Sequence, residues 1–96
     1  MTSFVLSPRA QTDIEEIWDC TAAHWNVGQA EAYIRQIQAA IDAIAAAPQV
    51  ARSCNEIRLG YWEYPAGSHV IFFRLIPDGI DIVRILHSRM DFERHL

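Results

Sequence analysis

The chain contains no lysine. All eight of its Lys/Arg residues are arginines, they face 12 acidic residues, and the formal net charge is −4. A dedicated nucleic-acid binder carries a basic excess or a basic run. Neither is present, so free nucleic acid is not an expected partner. Glycine is scarce, with four scattered residues, and no glycine-rich phosphate loop or GxSxG nucleophile turn can be built from them. The two cysteines, Cys20 and Cys54, have no CxxC spacing. They read as two reduced thiols rather than a disulfide framework. The four histidines, His24, His69, His87 and His95, show neither HxxxH nor HExxH spacing, so no metal site is expected. The longest near-apolar run, Ala39–Pro48, is too short to cross a bilayer and carries Asp42. Met1-Thr2-Ser3-Phe4 has no basic stretch of the kind that opens a signal peptide. A cytoplasmic protein is expected.

What remains is a chain of 96 residues, 51% of them hydrophobic. That length fits a single domain over 1–96. A domain of this size buries only about 60–65% of its unfolded surface, and a partner subunit could supply the missing burial.

Residues 3–6 read as a short strand. Ser7-Pro8 then opens a helix, with serine at the N-cap and proline at the first helical position, where its missing N–H costs nothing. Ala10, Ile14, Ile17, Trp18, Thr21 and Trp25 recur at helical spacing over about residues 8–25 and define one apolar stripe. Asp13, Glu15, Glu16 and Asp19 read as the solvated outer face. Asn26 followed by Gln29 resembles a capping box. A second stripe, Ala30, Tyr33, Ile34, Ile37, Ile41 and Ile44, runs over 28–46 and stops at Pro48. Two helices joined this closely must form an antiparallel hairpin.

Beyond Val50 the helical period disappears. Glu56-Ile57-Arg58 and Tyr61–Tyr64 read as strands around a Gly60 kink. His69–Ile76 and Ile80–His87 are the clearest strands, apolar on both faces and therefore central. Pro77-Asp78-Gly79 is the turn between them. The tail Met90–Leu96 reads as one helical turn. The result is an α+β, β-αα-ββββ chain: an antiparallel sheet with the N-terminal helical hairpin packed on one face. The other face needs a cover, either the tail or another protein.

Arg74 and Arg84 sit inside apolar strands, where a charge needs a partner. A three-residue loop at 77–79 would pair Ile76 with Ile80, place Arg74 opposite Ile82 and put both arginines on one face. A two-residue loop at 78–79 would separate them. The longer loop is favoured because it spares Pro77 a ladder position. Each arginine could pair with a carboxylate of this chain or bind a partner's carboxylates or phosphates bidentately. His87, just beyond the strand, could serve as a general acid/base or simply cap the strand end by bonding Asp91 or backbone.

Several blocks of residues together resemble the ParE branch of the RelE/ParE toxin superfamily. They are Leu6-Ser7-Pro8-x-Ala10, Asp13-Ile14-x-x-Ile17-Trp18, Ala30-x-x-Tyr33-Ile34-x-x-Ile37, Asn55-Glu56-Ile57-Arg58-x-Gly60-Tyr61, Gly67-Ser68-His69-x-Ile71-Phe72-Phe73-Arg74, and the most specific, Gly79–Leu86 with His87-x-Arg89-Met90-Asp91. The resemblance implies the same fold and a type II toxin–antitoxin module. It also implies a cognate ParD-like antitoxin that wraps the toxin in a hetero-oligomer, with DNA gyrase as the target and no cofactor. The matched residues Arg58, Tyr61, Arg74, Arg84, His87, Arg89, Met90 and Asp91 are the implied antitoxin or target contacts, with none assigned as catalytic. Many such proteins carry basic residues after Gly-Tyr, where this chain has Trp62-Glu63. Two other readings stand beside this one. The first is a RelE-like ribosome-dependent mRNA endonuclease, which the absence of lysine disfavours. The second is an antitoxin-binding module that has lost toxicity.

Overall fold

The computed structural model describes residues 3–96. Met1 and Thr2, which enter the signal-peptide and single-domain readings, lie outside the described residues. Strand β1 (Ser3–Leu6) leads into helices α1 (Pro8–His24) and α2 (Val27–Ala46). A short 3-10 turn, Pro48–Val50, follows. Then come β2 (Arg52–Ser53), β3 (Tyr61–Ala66), β4 (His69–Ile76), β5 (Gly79–His87) and a terminal helical turn, α3 (Phe92–His95).

Both helix starts form as the capping chemistry dictates. The Ser7 side chain accepts from the Ala10 N–H, and Pro8 occupies the first turn. The Asn26 side chain accepts from the Gln29 N–H. α2 buries Ala30, Ile37, Ile41 and Ile44 as its spacing predicts. α1 departs from expectation twice. Trp25, read as the end of its stripe, is 75% exposed, because α1 stops at His24 and residue 25 leaves helical geometry. Asp13, read as solvated, is only 7% exposed.

The sheet order is β1-β5-β4-β3-β2. β2 to β5 are antiparallel, while β1 runs parallel to β5, because the whole helical hairpin and three strands intervene before the chain returns. Glu56-Ile57-Arg58 is not a strand. The Cys54 carbonyl accepts from both Ile57 N–H and Arg58 N–H, and the Asn55 side chain accepts from Gly60 N–H, so these residues form a compact turn. The strand beside β3 is the shorter Arg52–Ser53.

The β4–β5 turn follows neither predicted loop. Ile76 pairs with Gly79, and Arg74 pairs with Asp81. A bulge between Phe72 and Phe73 on the β4 side then absorbs Val83, and from Phe72↔Arg84 to His69↔His87 the register is the one expected for the longer loop. The bulge thus restores Arg74 and Arg84 to the same face. Gly79 carries φ +155°, and a Cβ there would lie 1.9 Å from the Ser3 main-chain oxygen. Only glycine lets β1 approach so closely.

Two apolar clusters cover the two faces. Ala10, Ile17, Ile37, Ile41 and Ile44 of the hairpin meet Ile71, Phe73, Ile80, Ile82 and Ile85. On the opposite face Phe72, Leu86 and Cys54 are covered by Phe92 and Leu96, with Ile57, Tyr61 and Val70 around them. The rings of Phe72 and Phe92 lie edge to face, 4.8 Å apart. The tail is therefore a cover for the second face. Burial pushes the Cys54 thiol up to about 11, with Glu63 and Glu56 adding to the shift and Arg52 opposing it. No helix among the described residues is long and apolar enough to cross a membrane.

Candidate functional site: a groove at the end of β5

β1 pairs with β5 only as far as Leu6↔Ile82. From Val83 onward the outer edge of β5 has no strand beside it, and α1 closes it with side chains. The Ser7 hydroxyl that caps α1 also donates to the Val83 carbonyl at 2.8 Å. Asp13 accepts from the Ile85 N–H at 2.9 Å. The same carboxylate takes both arms of Arg84, from Nε at 2.8 Å and from the terminal nitrogen at 2.9 Å. Arg84 also donates to the main-chain oxygen of His95. The hydrogen bond to Asp13 holds the guanidinium above its ordinary pKa, against the opposing effect of burial. One ion pair thus ties α1, β5 and the tail together.

Beyond this seal lies a groove of about 280 Å³ between α1 and the end of β5. Glu16 and Cys20 line it from α1, and His69, His87 and Met90 line it from the sheet side. His69 and His87 are direct cross-strand neighbours with ring centroids 5.2 Å apart. Each ring spends Nδ1 internally. His87 Nδ1 accepts from the Arg89 N–H at 3.1 Å. His69 Nδ1 lies 2.6 Å from the Tyr33 hydroxyl, whose oxygen also accepts from Ser68 N–H at 2.9 Å. The hydroxyl proton goes to His69, since its other acceptor, the Ala66 carbonyl, is 3.4 Å away. With Nδ1 accepting from Tyr33, a neutral His69 ring carries its proton on Nε2. Among the described residues no set of three His, Cys, Asp or Glu side chains converges as metal ligands.

The eight residues singled out from sequence fall into three places. Arg84, His87 and Met90 line the groove, with exposed Arg89 and Asp91 following them in the connection to α3. Tyr61 and Arg74 are cross-strand partners on the tail-covered face, and Arg74 is held by Asp81 at 2.9 Å. Arg58 stands on the turn before β3 and donates to the main-chain oxygen of Leu96. Of the two readings weighed for the arginines, the intrachain carboxylate pair is the one present. His87 caps the strand end through backbone, not through Asp91. Sequence reasoning missed Asp13 and Tyr33 as site residues. Asp13 carries a usable signal, because it lies three residues after Ala10 and four before Ile17, on the buried stripe itself. Trp62, partly buried, packs against the cluster beneath the hairpin, and Glu63 pairs with the exposed Arg52 at 3.2 Å, so both residues that follow Gly-Tyr make contacts within the chain.

A family model described as "ParE toxin of type II toxin-antitoxin system, parDE" matches residues 4–92. Proteins named Toxin ParE1 from two Mycobacterium tuberculosis strains are each 54% identical over 94 residues, covering 97% of this chain and 96% of theirs. A Toxin ParE1 from Caulobacter vibrioides is 38% identical over 96 residues, covering all of this chain and 99% of its own. A solved structure titled as a chromosomal ParDE TA system from P. aeruginosa shares the fold, with a TM-score of 0.79 at 17% identity. It covers 91% of this chain and 96% of that one.

Proposed function

Because the chain belongs to the ParE toxin family of type II toxin–antitoxin systems, we propose that it blocks replication by binding DNA gyrase in the cytoplasm when its ParD-like antitoxin is absent. It is a toxin of a type II module, and an antitoxin is its partner. The proposed toxin acts as a single domain over 1–96, by binding rather than catalysis, and without a cofactor.

The observation that carries the binding reading is how the polar groups at the end of β5 are used. A metal-free ribonuclease must hold a phosphate and stabilise developing charge with several cations and a general base. Here Arg84 is bound to Asp13, and both imidazoles spend Nδ1 on internal hydrogen bonds. The chain has no lysine to substitute. Arg58, Tyr61, Arg74, His87, Arg89, Met90 and Asp91 are the proposed antitoxin or target contacts, while Arg84 acts by holding the edge of β5 in place.

Pulse labelling of DNA and protein synthesis immediately after inducing this chain alone tests the reading. DNA synthesis is expected to fall first while translation continues. An earlier fall in translation would replace this reading with the endonuclease. No fall in either would leave an antitoxin-binding module without toxicity.

A further inference from the structure

The cluster of Tyr33, His69 and His87 includes one proposed contact, His87, and joins three elements. Tyr33 comes from α2, His69 opens β4 and His87 closes β5. The Tyr33 ring also lies over Gly67, where a Cβ would come within 2.6 Å of it. The β3–β4 turn is therefore shaped to admit this ring, with Gly67 at φ +60°. We propose that Tyr33, His69 and His87 form a proton-operated latch, closed while His69 is neutral and loosened when it is protonated.

The closed state follows from the geometry. Tyr33 donates to His69 Nδ1 and accepts from Ser68 N–H, which pins the tip of the hairpin to the start of β4. Protonating His69 puts a hydrogen on Nδ1. The Tyr33 oxygen must then accept from two N–H groups, and its own proton must turn to the more distant Ala66 carbonyl. The new positive charge also lies against the His87 ring, 5.2 Å away, in a half-buried site. Burial and then His87 lower the His69 pKa from its ordinary 6.5, with Asp13 opposing them. Asp13 is itself claimed by Arg84 and the Ile85 N–H. The other titratable or charged groups around the groove are Glu16 and Cys20 on α1, Arg84 on β5 and Arg89 after it. A group whose folded pKa is lowered contributes stability above its unfolded value, and that contribution is lost as pH falls below 6.5 toward the folded value. Mild acid therefore weakens the tie between α2 and β4 at the groove mouth. The device holds whether or not gyrase is the target.

The test uses the isolated protein. The melting temperature is expected to drop between pH 7.5 and pH 5.5, as the unfolded chain takes up a proton that the folded His69 resists. His69→Asn keeps an acceptor where Nδ1 stood and cannot titrate, so it should lose little over the same range. An equal drop in His69→Asn would overturn the latch. Should that variant fail to fold, the ring C–H resonances of the native protein decide. His69 must titrate below pH 6.5 and move the Tyr33 ring resonances with it, and a midpoint at or above 6.5 would end the proposal.

Discussion

Asp13 shows how much one residue can be asked to do. Its carboxylate accepts three hydrogen bonds, two from Arg84 and one from the Ile85 N–H. The two side chains are only 8% and 12% exposed. Removing one member of a buried ion pair strands the other, at a cost of about 3–5 kcal/mol. Asp13→Ala should therefore destabilise the fold by that amount in urea unfolding, since it also orphans a backbone N–H. Combining it with Arg84→Met should cost clearly less than the two single changes added together. Strict additivity would mean that the pair is not coupled. Its spacing from Ala10 and Ile17 sets Asp13 apart from Glu15, Glu16 and Asp19, but nothing local names its partner, which lies 71 residues away in the chain. Its place on the stripe was legible, but its role was not.

At the scale of elements, the helices follow closely from their own residues. Capping side chains, proline positions and apolar spacing are all local, and they place α1 and α2 to within a residue or two. The strands do not follow so directly, because register depends on what pairs with what. The two-residue turn and the bulge that absorbs Val83 offset each other, so a loop read wrongly at the turn still led to the right pairing at His69↔His87. β1 is the strand most exposed to a single change. Gly79→Ala would drive a methyl into the Ser3 main-chain oxygen and strain a glycine-favouring backbone. It should cost about 2 kcal/mol or more. Hydrogen exchange should show faster exchange along Ser3–Leu6 than in β3 and β4. Uniform loss of protection across the sheet would show that β1 is not an independent weak point.

At the scale of the whole molecule, the tail answers the question of the second sheet face. Phe92 and Leu96 cover Phe72, Leu86 and Cys54, so the partner is not needed to complete that cluster. Large apolar side chains still lie open at the periphery, with Leu59 84% and Trp25 75% exposed. A small domain with such exposure gains stability from any partner that binds only the folded form. At a hundredfold excess over its dissociation constant the antitoxin adds about 2.7 kcal/mol, which should raise the melting temperature by about 10–20 °C. Equal melting temperatures with and without saturating antitoxin would contradict the partnership.

The amino-acid sequence by itself determined the element order, the helical hairpin, the central place of β4 and β5, and the family. Each of these rests on local spacing, on capping and turn chemistry, or on motif residues that stand in the chain as they are read. Tertiary structure alone decided that β1 runs parallel to β5, that Asp13 pairs with Arg84, that Trp62 and Glu63 are partly buried, and that Tyr33 meets His69 beside His87. The reason is physical. A buried charge, an edge N–H or a hydroxyl is satisfied by whichever group the fold brings within about 3 Å. For these residues that group lies in a distant part of the chain.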